Sequence, residues 1–398
     1  MEETIKHITG NVKKYYFYQF FNLMVFWTPV IVLFWQSKGL NMKQIMILQS
    51  LYSLAVIILE LPTGAFADYF GKKASLVFSS LFLVVGSIIY GLGLNFWHFL
   101  AAEIIFGVGT SFASGADRAF LHETLVSIDR EDDFNKIEGR CRGLANIGES
   151  ISSFLGGLIG SISLALTMFV SAIPPFLSFL TGLSFAKPKV VLEREEKTDY
   201  LQIIRESLAI TRTNKKVLWL ALCQASFYAL VWSMSWFSQP YLQSLGVPVI
   251  YLGLIYTFFY IIVAIGSAFV VQFEKLTNSR PFLAMGFLFV LALFLLGVFP
   301  NIIFVPLLSF IWAFKVMSRT LISARVLPLV PKDRAATILS FQSMLGRLAY
   351  AVYIPILGIA ADALGVNSVF LINGLVATMI FSALVFSEKK FNLKLENI

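Results

Sequence analysis

The chain has 398 residues, of which 58% are hydrophobic and only 14% are charged, and its mean hydropathy is +0.78. Soluble chains are about one quarter charged, so this composition excludes a soluble multidomain protein. The net charge of +8 lies in loops and at helix ends, which indicates membrane topology and argues against a nucleic-acid-binding face. We therefore interpret the sequence as an integral membrane protein in contact with the lipid bilayer.

Twelve long apolar runs follow one another along the chain. A membrane-crossing helix needs about 20 apolar residues, and continuous runs of that length favour helices over a β-barrel. Spans 1 to 6 lie at about 15–35, 43–66, 74–94, 97–121, 141–161 and 165–186. Spans 7 to 12 lie at about 217–242, 250–273, 281–299, 302–327, 336–361 and 366–386. We predict an all-α membrane protein with two pseudo-symmetric six-helix bundles, residues 1–186 and 217–398, joined by a cytoplasmic linker over 187–216.

The linker contains a segment with the pattern of an amphipathic helix. Asp199 can cap a helix whose third residue is Gln202, and Leu201, Ile204 and Leu208 then share one face. Two interpretations stay open for this segment, a helix lying on the inner membrane surface and a solvated tether.

Lys and Arg are distributed unequally between the two sides of the membrane. If the N-terminus is inside, the outward loops hold only Lys38 and Lys43, whereas the inward segments are rich in both residue types. By the positive-inside rule, we expect both termini in the cytoplasm and the protein in the cell's inner membrane.

A short polar connection joins spans 2 and 3. Residues 64–73 read Gly-Ala-Phe-Ala-Asp-Tyr-Phe-Gly-Lys-Lys. Gly64 would allow close helix approach, and Gly71 would permit a tight reversal into span 3. Asp68 at a helix end is suited to meeting a partner helix N-terminus or a cation.

Residues 64–73 resemble the signature loop of the major facilitator superfamily, and the resemblance covers essentially the whole chain. Residues 60–63 resemble a variant found in bacterial members, and residues 355–362 resemble the usual end of span 11. The resemblance implies two six-helix halves around a central cavity lined by spans 1, 4, 7 and 10, with alternating access by rocking of the halves.

The sequence departs from the family pattern in three places. Residues 274–280, the equivalent loop after span 8, lack the Gly-Asp-Gly pattern. Span 4 lacks the arginine of many proton-driven exporters, and span 5 lacks the Gly-Pro motif of antiporters. These departures weaken an assignment as a drug/proton antiporter without excluding it.

Several charged side chains lie within the predicted spans. Each costs about 2.5–3.5 kcal/mol near the bilayer centre, so each needs a partner or a role. The first half carries mostly acids and the second half mostly cations: Glu60, Glu103, Asp117, Arg118 and Glu149 against Lys315, Arg319, Arg347 and Asp362.

Lys315 and Arg319 are four residues apart on span 10, so both project from one face. Two like charges repel unless an anion lies between them, and an arginine can hold a carboxylate or phosphate through two hydrogen bonds. We interpret the pair as an anchor for an anionic substrate. The alternative is an ion pair with an acid of the first half.

Glu103 on span 4 and Glu149 on span 5 are the candidates for proton coupling. Burial among apolar groups favours the neutral form of a carboxyl group, which lets it carry a proton. The alternative for each is a permanently ionised partner of Lys315 or Arg347.

The remaining intramembrane charges lie near the cytoplasmic helix ends. The resemblance implies that the loop and its neighbours form a conformational latch made of Gly64, Asp68, Gly71, Lys72, Lys73, Glu60, Asp117 and Arg118. Arg347 on span 11 either joins this latch through Glu60 or reaches the cavity, and both interpretations stay open.

Aromatic residues mark the predicted cavity helices. Tyr228, Trp232 and Trp236 recur at every fourth residue of span 7, where they can stack on a substrate ring or hold a cation. Helix packing and anchoring at the membrane interface are the alternative. On span 1, we place Asn22 on the face of Phe26 as a further substrate contact and expect a kink at Pro29.

These patterns predict a secondary active transporter that moves a small anionic organic solute and is coupled to protons. The runner-up is a proton-driven multidrug efflux antiporter for amphipathic or cationic compounds, and the third interpretation is a membrane sensor that does not transport. The sequence has no phosphate-binding loop, metal-ligand spacing or nucleophile–base pair. We therefore expect no cofactor, no metal and no enzyme activity, and a protein that works as a monomer.

Overall fold

The structure is a computed structural model that describes residues 2–188, 208–277, 280–331 and 334–391. These residues are mostly α-helical, and no β-strand occurs among them, so the all-α prediction is confirmed. The cap and first turns of the predicted linker helix lie outside the described residues. Residues 208–213, at the end of the linker, are helical.

The first half of the chain forms nine α-helices over residues 2–183, with a 3-10 turn at Glu131–Asp133. They are α1 (Glu2–Asn22), α2 (Ile31–Ser37), α3 (Met42–Phe70), α4 (Lys72–Leu92), α5 (Phe96–Ala113), α6 (Ala116–Val126), α7 (Phe134–Ile162), α8 (Leu164–Val170) and α9 (Ile173–Leu183).

The second half continues with six long helices after the short helical stretch at residues 208–213. They are α10 (Lys215–Ser244), α11 (Val249–Leu276), α12 (Pro281–Val298), α13 (Pro306–Val326), α14 (Ala335–Leu364) and α15 (Val366–Lys390).

Ten helical stretches in the described part of the chain are long and apolar enough to cross a membrane. They coincide with ten of the twelve predicted spans, because long apolar runs are a local property of the sequence. The other two predicted spans are span 1, which is divided into α1 and α2, and span 5, which corresponds to α7. The first turns of α7 carry Lys136, Glu138, Arg140 and Arg142, which lower its hydropathy.

The chain forms two compact units. Unit 1 consists of Met1–Leu40, Leu51–Lys197 and Val249–Thr257, and unit 2 consists of Asn41–Ser50, Thr198–Pro248 and Phe258–Ile398. Thus the start of α3 belongs to unit 2 and the start of α11 belongs to unit 1. The predicted bundles, residues 1–186 and 217–398, are each continuous in sequence and do not assign these two helix starts to the other unit.

Span 1 is broken between α1 and α2. Its freed backbone N–H groups donate to serine hydroxyls: Val25 N to Ser152 Oγ at 3.1 Å, and Phe26 N and Trp27 N to Ser171 Oγ at 3.0 and 3.3 Å. A broken helix inside a membrane needs such partners, because no bulk water is there to supply them.

The break corrects two expectations about span 1. Pro29 lies in an interruption that covers residues 23–30, so the expected kink is a complete break. Because Asn22 ends α1, it does not share a continuous helical face with Phe26.

Glycines of α7 let two other segments of unit 1 approach its backbone closely. A Cβ atom built on Gly156 would lie 1.9 Å from the carbonyl oxygen of Phe26, in the break of span 1. A Cβ atom built on Gly157 would lie 2.4 Å from the amide nitrogen of Gly253, in the part of α11 that belongs to unit 1. Only glycine fits at these two positions without movement of backbone.

In unit 2, the start of α3 packs against α14. The Asp362 carboxylate accepts hydrogen bonds from the backbone amides of Met42 and Lys43, both at 2.9 Å, and so caps the N-terminus of α3. In the middle of α14, the carbonyl of Ala351 accepts a hydrogen bond from Ser50 Oγ at 2.6 Å. The carboxylate and the hydroxyl together fix this short segment to unit 2.

Candidate functional site

In unit 2, Lys315 of α13 directs its ammonium group onto aromatic rings. Its Nζ lies 3.1 Å from the ring centroid of Trp232 on α10 and 5.6 Å from that of Trp312. Trp312 precedes Lys315 by three residues on the same helix, a spacing that brings side chains together. A desolvated cation gains about 2 kcal/mol from an indole face, so the rings stabilise a charge within an apolar span.

Two tyrosines extend this group of rings. Tyr228 stacks on Trp232 with ring centroids 5.6 Å apart and an angle of 5° between the planes, because residues four apart on α10 share one face. Tyr350 of α14 meets Tyr228 edge-on at 5.9 Å. We call Lys315, Trp232, Trp312, Tyr228 and Tyr350 the lysine–aromatic cluster.

Two arginines lie near the lysine–aromatic cluster. The charges of Arg347 and Arg319 are close enough to act electrostatically on the hydroxyl of Tyr228. Arg319 is exposed and Arg347 is partly buried. Trp236 lies two turns further along α10 than Tyr228 and is half-buried. Unit 2 thus holds one cation on the rings of the cluster and two more within electrostatic range of Tyr228.

In unit 1, Glu103 is buried among aromatic rings. The side chain is 5% exposed, and its carboxyl group is hydrogen-bonded to the hydroxyl of Tyr90 on α4. The ring of Tyr90 packs against Trp35, Phe99 and Phe106, with centroid distances of 6.0, 6.1 and 5.3 Å. We call these five residues the acid–aromatic cluster, in which a phenol is the hydrogen-bond partner of a carboxyl group.

Glu149 and Asn22 are the other candidates in unit 1. Glu149 is half-buried in the middle of α7, where its carbonyl accepts a hydrogen bond from Ser152 Oγ at 3.1 Å. Asn22 ends α1, and its buried Oδ1 accepts no hydrogen bond from the described residues. Both therefore lie beside the break of span 1, since Ser152 also binds the amide of Val25.

The connection of residues 64–73 joins α3 to α4 at Gly71, whose φ of 93° favours glycine. Asp68 and Lys72 form an ion pair across this turn. Lys73 donates hydrogen bonds to the carbonyls of Leu183 and Phe185, at 2.9 and 2.7 Å, and so connects α4 to the end of α9.

One expectation about the loop is wrong for this structure. No described atom lies within 4 Å of a Cβ atom built on Gly64, which is exposed, so this glycine does not mediate a close helix approach here. Because glycine carries no side chain beyond a hydrogen atom, the surface of α3 is open at Gly64.

The other predicted latch residues have partners within unit 1. Glu60 accepts a hydrogen bond from Ser114 Oγ at 3.2 Å, and the carboxylate of Asp117 accepts one from the backbone amide of Arg118 at 2.7 Å. The guanidinium of Arg118 pairs with Glu138 of α7 at 2.9 Å. The first contact connects α3 to the junction between α5 and α6, and the last connects α6 to α7.

A local ion pair shapes the connection between α6 and α7. Arg130 and Asp133 form an ion pair at 2.6 Å, three residues apart. The hydrogen bond from the Arg130 guanidinium holds the pKa of Asp133 below its ordinary value. The pair is exposed, so it contributes little to stability.

Sequence reasoning missed Arg325, at the end of α13. This side chain is 3% exposed, pairs with Glu274 near the end of α11, and lies 5.2 Å from the ring centroid of Phe282. The available signal was an arginine at the end of one span and an acid at the end of another. The loop after span 8 thus lacks the family motif and yet carries an ion pair.

No group of three or more His, Cys, Asp or Glu residues in the described ranges could hold a metal ion.

Comparison with known proteins gives a family match. The family model of the Major Facilitator Superfamily matches residues 15–314. The chain is 25% identical over 358 residues to the "Uncharacterized MFS-type transporter YxaM" of Bacillus subtilis (strain 168), and the match covers 88% of each protein. It is also 24% identical over 229 residues to the "Tetracycline resistance protein, class H" of Pasteurella multocida, which covers 55% of this chain and 56% of that protein.

Solved structures show the same fold at low sequence identity. The nucleoside transporter NupG matches with a TM-score of 0.76 at 13% identity, over 96% of this chain and 99% of that one. A D-xylose-proton symporter matches with a TM-score of 0.71 at 13% identity, over 96% of each chain. The chain therefore belongs to the Major Facilitator Superfamily and is a multi-pass membrane transporter with the fold of that family.

Proposed function

We propose that this protein is a secondary active transporter that moves a small organic anion across the cytoplasmic membrane, coupled to protons. Both termini are then in the cytoplasm, and the protein works as a monomer. The observation that carries the proposal is the contact of the Lys315 ammonium with the ring of Trp232, beside Tyr228, on which Arg319 and Arg347 act electrostatically.

Electrostatics favours an anion at this surface. Like charges repel strongly where the dielectric constant is low, and an anionic solute would offset that repulsion. Arg319 is exposed and can offer two parallel hydrogen bonds to a carboxylate or phosphate. The charge of Arg347 acts electrostatically on Tyr228, which favours the solute site over the latch for this residue. Trp236 stays a candidate for contact with the rest of the solute, and Asn22 of unit 1 stays a separate candidate substrate contact.

Proton coupling is assigned to Glu103, with Glu149 as the second candidate. A buried carboxyl group among aromatic rings is stable when neutral, and the hydroxyl of Tyr90 supports the ionised form by hydrogen bonding. A group that tolerates both forms inside a membrane can gain and lose a proton during transport.

The connection between α3 and α4 is proposed as a latch that helps to hold one conformation of the transport cycle. Its proposed elements are Gly71, the Asp68–Lys72 ion pair and the hydrogen bonds of Lys73. Glu60, Asp117 and Arg118 support it from α3 and α6. An ion pair that breaks and reforms is well suited to this role, since an exposed pair is worth only about 0–1 kcal/mol.

A second candidate function is efflux of amphipathic or cationic compounds. It is favoured by the 24% identity to a tetracycline resistance protein and by the aromatic rings of the lysine–aromatic cluster, since ring faces attract cations. The three cations of unit 2 weigh against it, because they repel a positively charged drug.

Transport by reconstituted protein tests the proposal. Liposomes containing the protein are loaded with a pH-sensitive dye and exposed to pools of anionic, neutral and cationic solutes. Anionic pools are expected to trigger a proton flux, and Arg319→Gln is expected to reduce it at least tenfold, since a hydrogen bond to a charged group is worth about 1.5–3 kcal/mol. Arg140→Gln, which removes an exposed cation of α7, is the matched control. A flux triggered only by lipophilic cations would select the second candidate.

A further inference from the structure

The lysine–aromatic cluster has the composition of a receptor for organic cations. The ammonium of Lys315 lies over the ring of Trp232 and within 5.6 Å of the ring centroid of Trp312. Proteins recognise quaternary ammonium groups with such aromatic cages, because the ring faces carry partial negative charge. Here the cation in the cage belongs to the protein itself.

Neighbouring rings hold both indoles in place. Tyr228 stacks on Trp232 in a nearly parallel orientation. Trp312 contacts Phe259 and Tyr260 of α11, each with ring centroids 5.8 Å apart. Because the indoles have their own packing partners, the cage does not depend on the lysine to keep its shape.

We propose that Lys315 is a tethered occupant of this cage and acts as a specificity-determining residue that excludes organic cations. A tethered group competes with a free ligand at an effective concentration in the millimolar range or above. The ammonium also repels any cation that approaches the same rings. By keeping organic cations off the rings, Lys315 would contribute to the selectivity of the protein for anions. This link to anion transport rests on the proposed function.

The proposal makes a prediction that differs from that of an ordinary substrate contact. Removing the ammonium while the rings remain should create a binding activity that the wild-type protein lacks. Arginine at this position keeps a cation on the rings, so Lys315→Arg should still exclude organic cations. Trp232 supplies the nearest ring face, so its loss should remove the new activity.

Binding of tetramethylammonium and benzyltrimethylammonium to the purified full-length protein in lipid nanodiscs tests the proposal by calorimetry. Lys315→Ala is expected to bind both probes at least tenfold more tightly than the wild type, a factor within the range of one desolvated cation–π contact. Lys315→Met keeps the aliphatic stem without the charge and is also expected to bind more tightly. Lys315→Arg and the double variant Lys315→Ala/Trp232→Leu are expected to bind as weakly as the wild type.

The cage assignment would be overturned if a folded Lys315→Ala or Lys315→Met protein bound the probes no more tightly than the wild type. Tighter binding that persisted in the double variant would also overturn it, because the probes would then occupy another site. The binding assay is independent of transport. If neutral Lys315 variants gain cation binding but the wild type moves no anion, the proposed function fails and the cage assignment holds.

Discussion

Units 1 and 2 each hold an ionisable side chain against aromatic rings, but the two side chains carry opposite charge. In unit 1, the carboxyl group of Glu103 is bonded to the phenol of Tyr90. In unit 2, the ammonium of Lys315 lies on the face of Trp232. A phenol hydroxyl can donate to a carboxylate, whereas an indole face attracts a cation, so each aromatic partner suits its own charge.

The difference between the clusters suggests different tasks. A buried acid can become neutral by taking up a proton, which is the event that coupling requires. The ammonium of Lys315 lies on indole faces, which attract a cation, and the nearby arginines are always charged. We therefore assign the exchangeable proton to unit 1 and the fixed positive charge that receives an anion to unit 2.

The largest expected effect comes from removing the proton carrier. Glu103→Gln keeps the shape of the side chain but cannot release a proton, so solute-driven proton flux is expected to fall at least a hundredfold in liposomes. Glu149→Gln is the comparison within the same unit. A normal flux in Glu103→Gln together with a lost flux in Glu149→Gln would move the proton site to α7.

The next effect concerns the fixed charge of unit 2. Lys315→Gln combined with Arg319→Gln is expected to reduce anion transport by one to two orders of magnitude, since the charged hydrogen bond of Arg319 alone contributes about 1.5–3 kcal/mol. Initial rates at saturating and at low solute concentration would separate weaker binding from slower turnover. Equal transport by the double variant would refute the anion anchor.

A smaller effect tests the aromatic partner of the lysine. Trp232→Leu is expected to lower the free energy of unfolding by up to about 2 kcal/mol beyond the loss of packing, because the ammonium loses its ring face. Trp232→Phe keeps a ring and should lose less. Thermal unfolding of both purified variants measures the difference, and an equal loss would show that packing alone explains the position.

The smallest effect tests the aromatic partner of the acid. Tyr90→Phe removes one hydroxyl and leaves the ring contacts with Trp35, Phe99 and Phe106 in place. The net loss of one hydrogen bond, about 1 kcal/mol, should lower the proton flux roughly fivefold. Phe106→Leu is a packing control. A hundredfold loss in Tyr90→Phe would indicate that the phenol is itself part of the proton path.

Sequence alone is informative wherever a single helix decides the geometry. The helices reproduce ten of the twelve spans that the long apolar runs predict, and the four-residue spacing places Tyr228 and Trp232 on one face, where their rings stack. The same rule identifies the common face of Lys315 and Arg319. In each case the residues concerned lie within a few turns of each other.

Contacts between distant segments could not be predicted in this way. The break of span 1 depends on hydroxyls of Ser152 and Ser171, more than a hundred residues along the chain. The pairing of Glu103 with Tyr90 joins two helices, and periodicity does not specify how two helices are rotated against each other. The pairing of the buried Arg325 with Glu274 also joins two helices, so it could not be predicted for the same reason.

The most direct test of the division between the units is to measure solute counterflow and net proton flux side by side. Counterflow needs an intact anion site but no net proton movement. We predict that Glu103→Gln retains counterflow and loses proton flux, whereas the double variant at Lys315 and Arg319 loses both. Loss of counterflow in Glu103→Gln, or its survival in the double variant, would contradict the assignment of proton and anion to separate units.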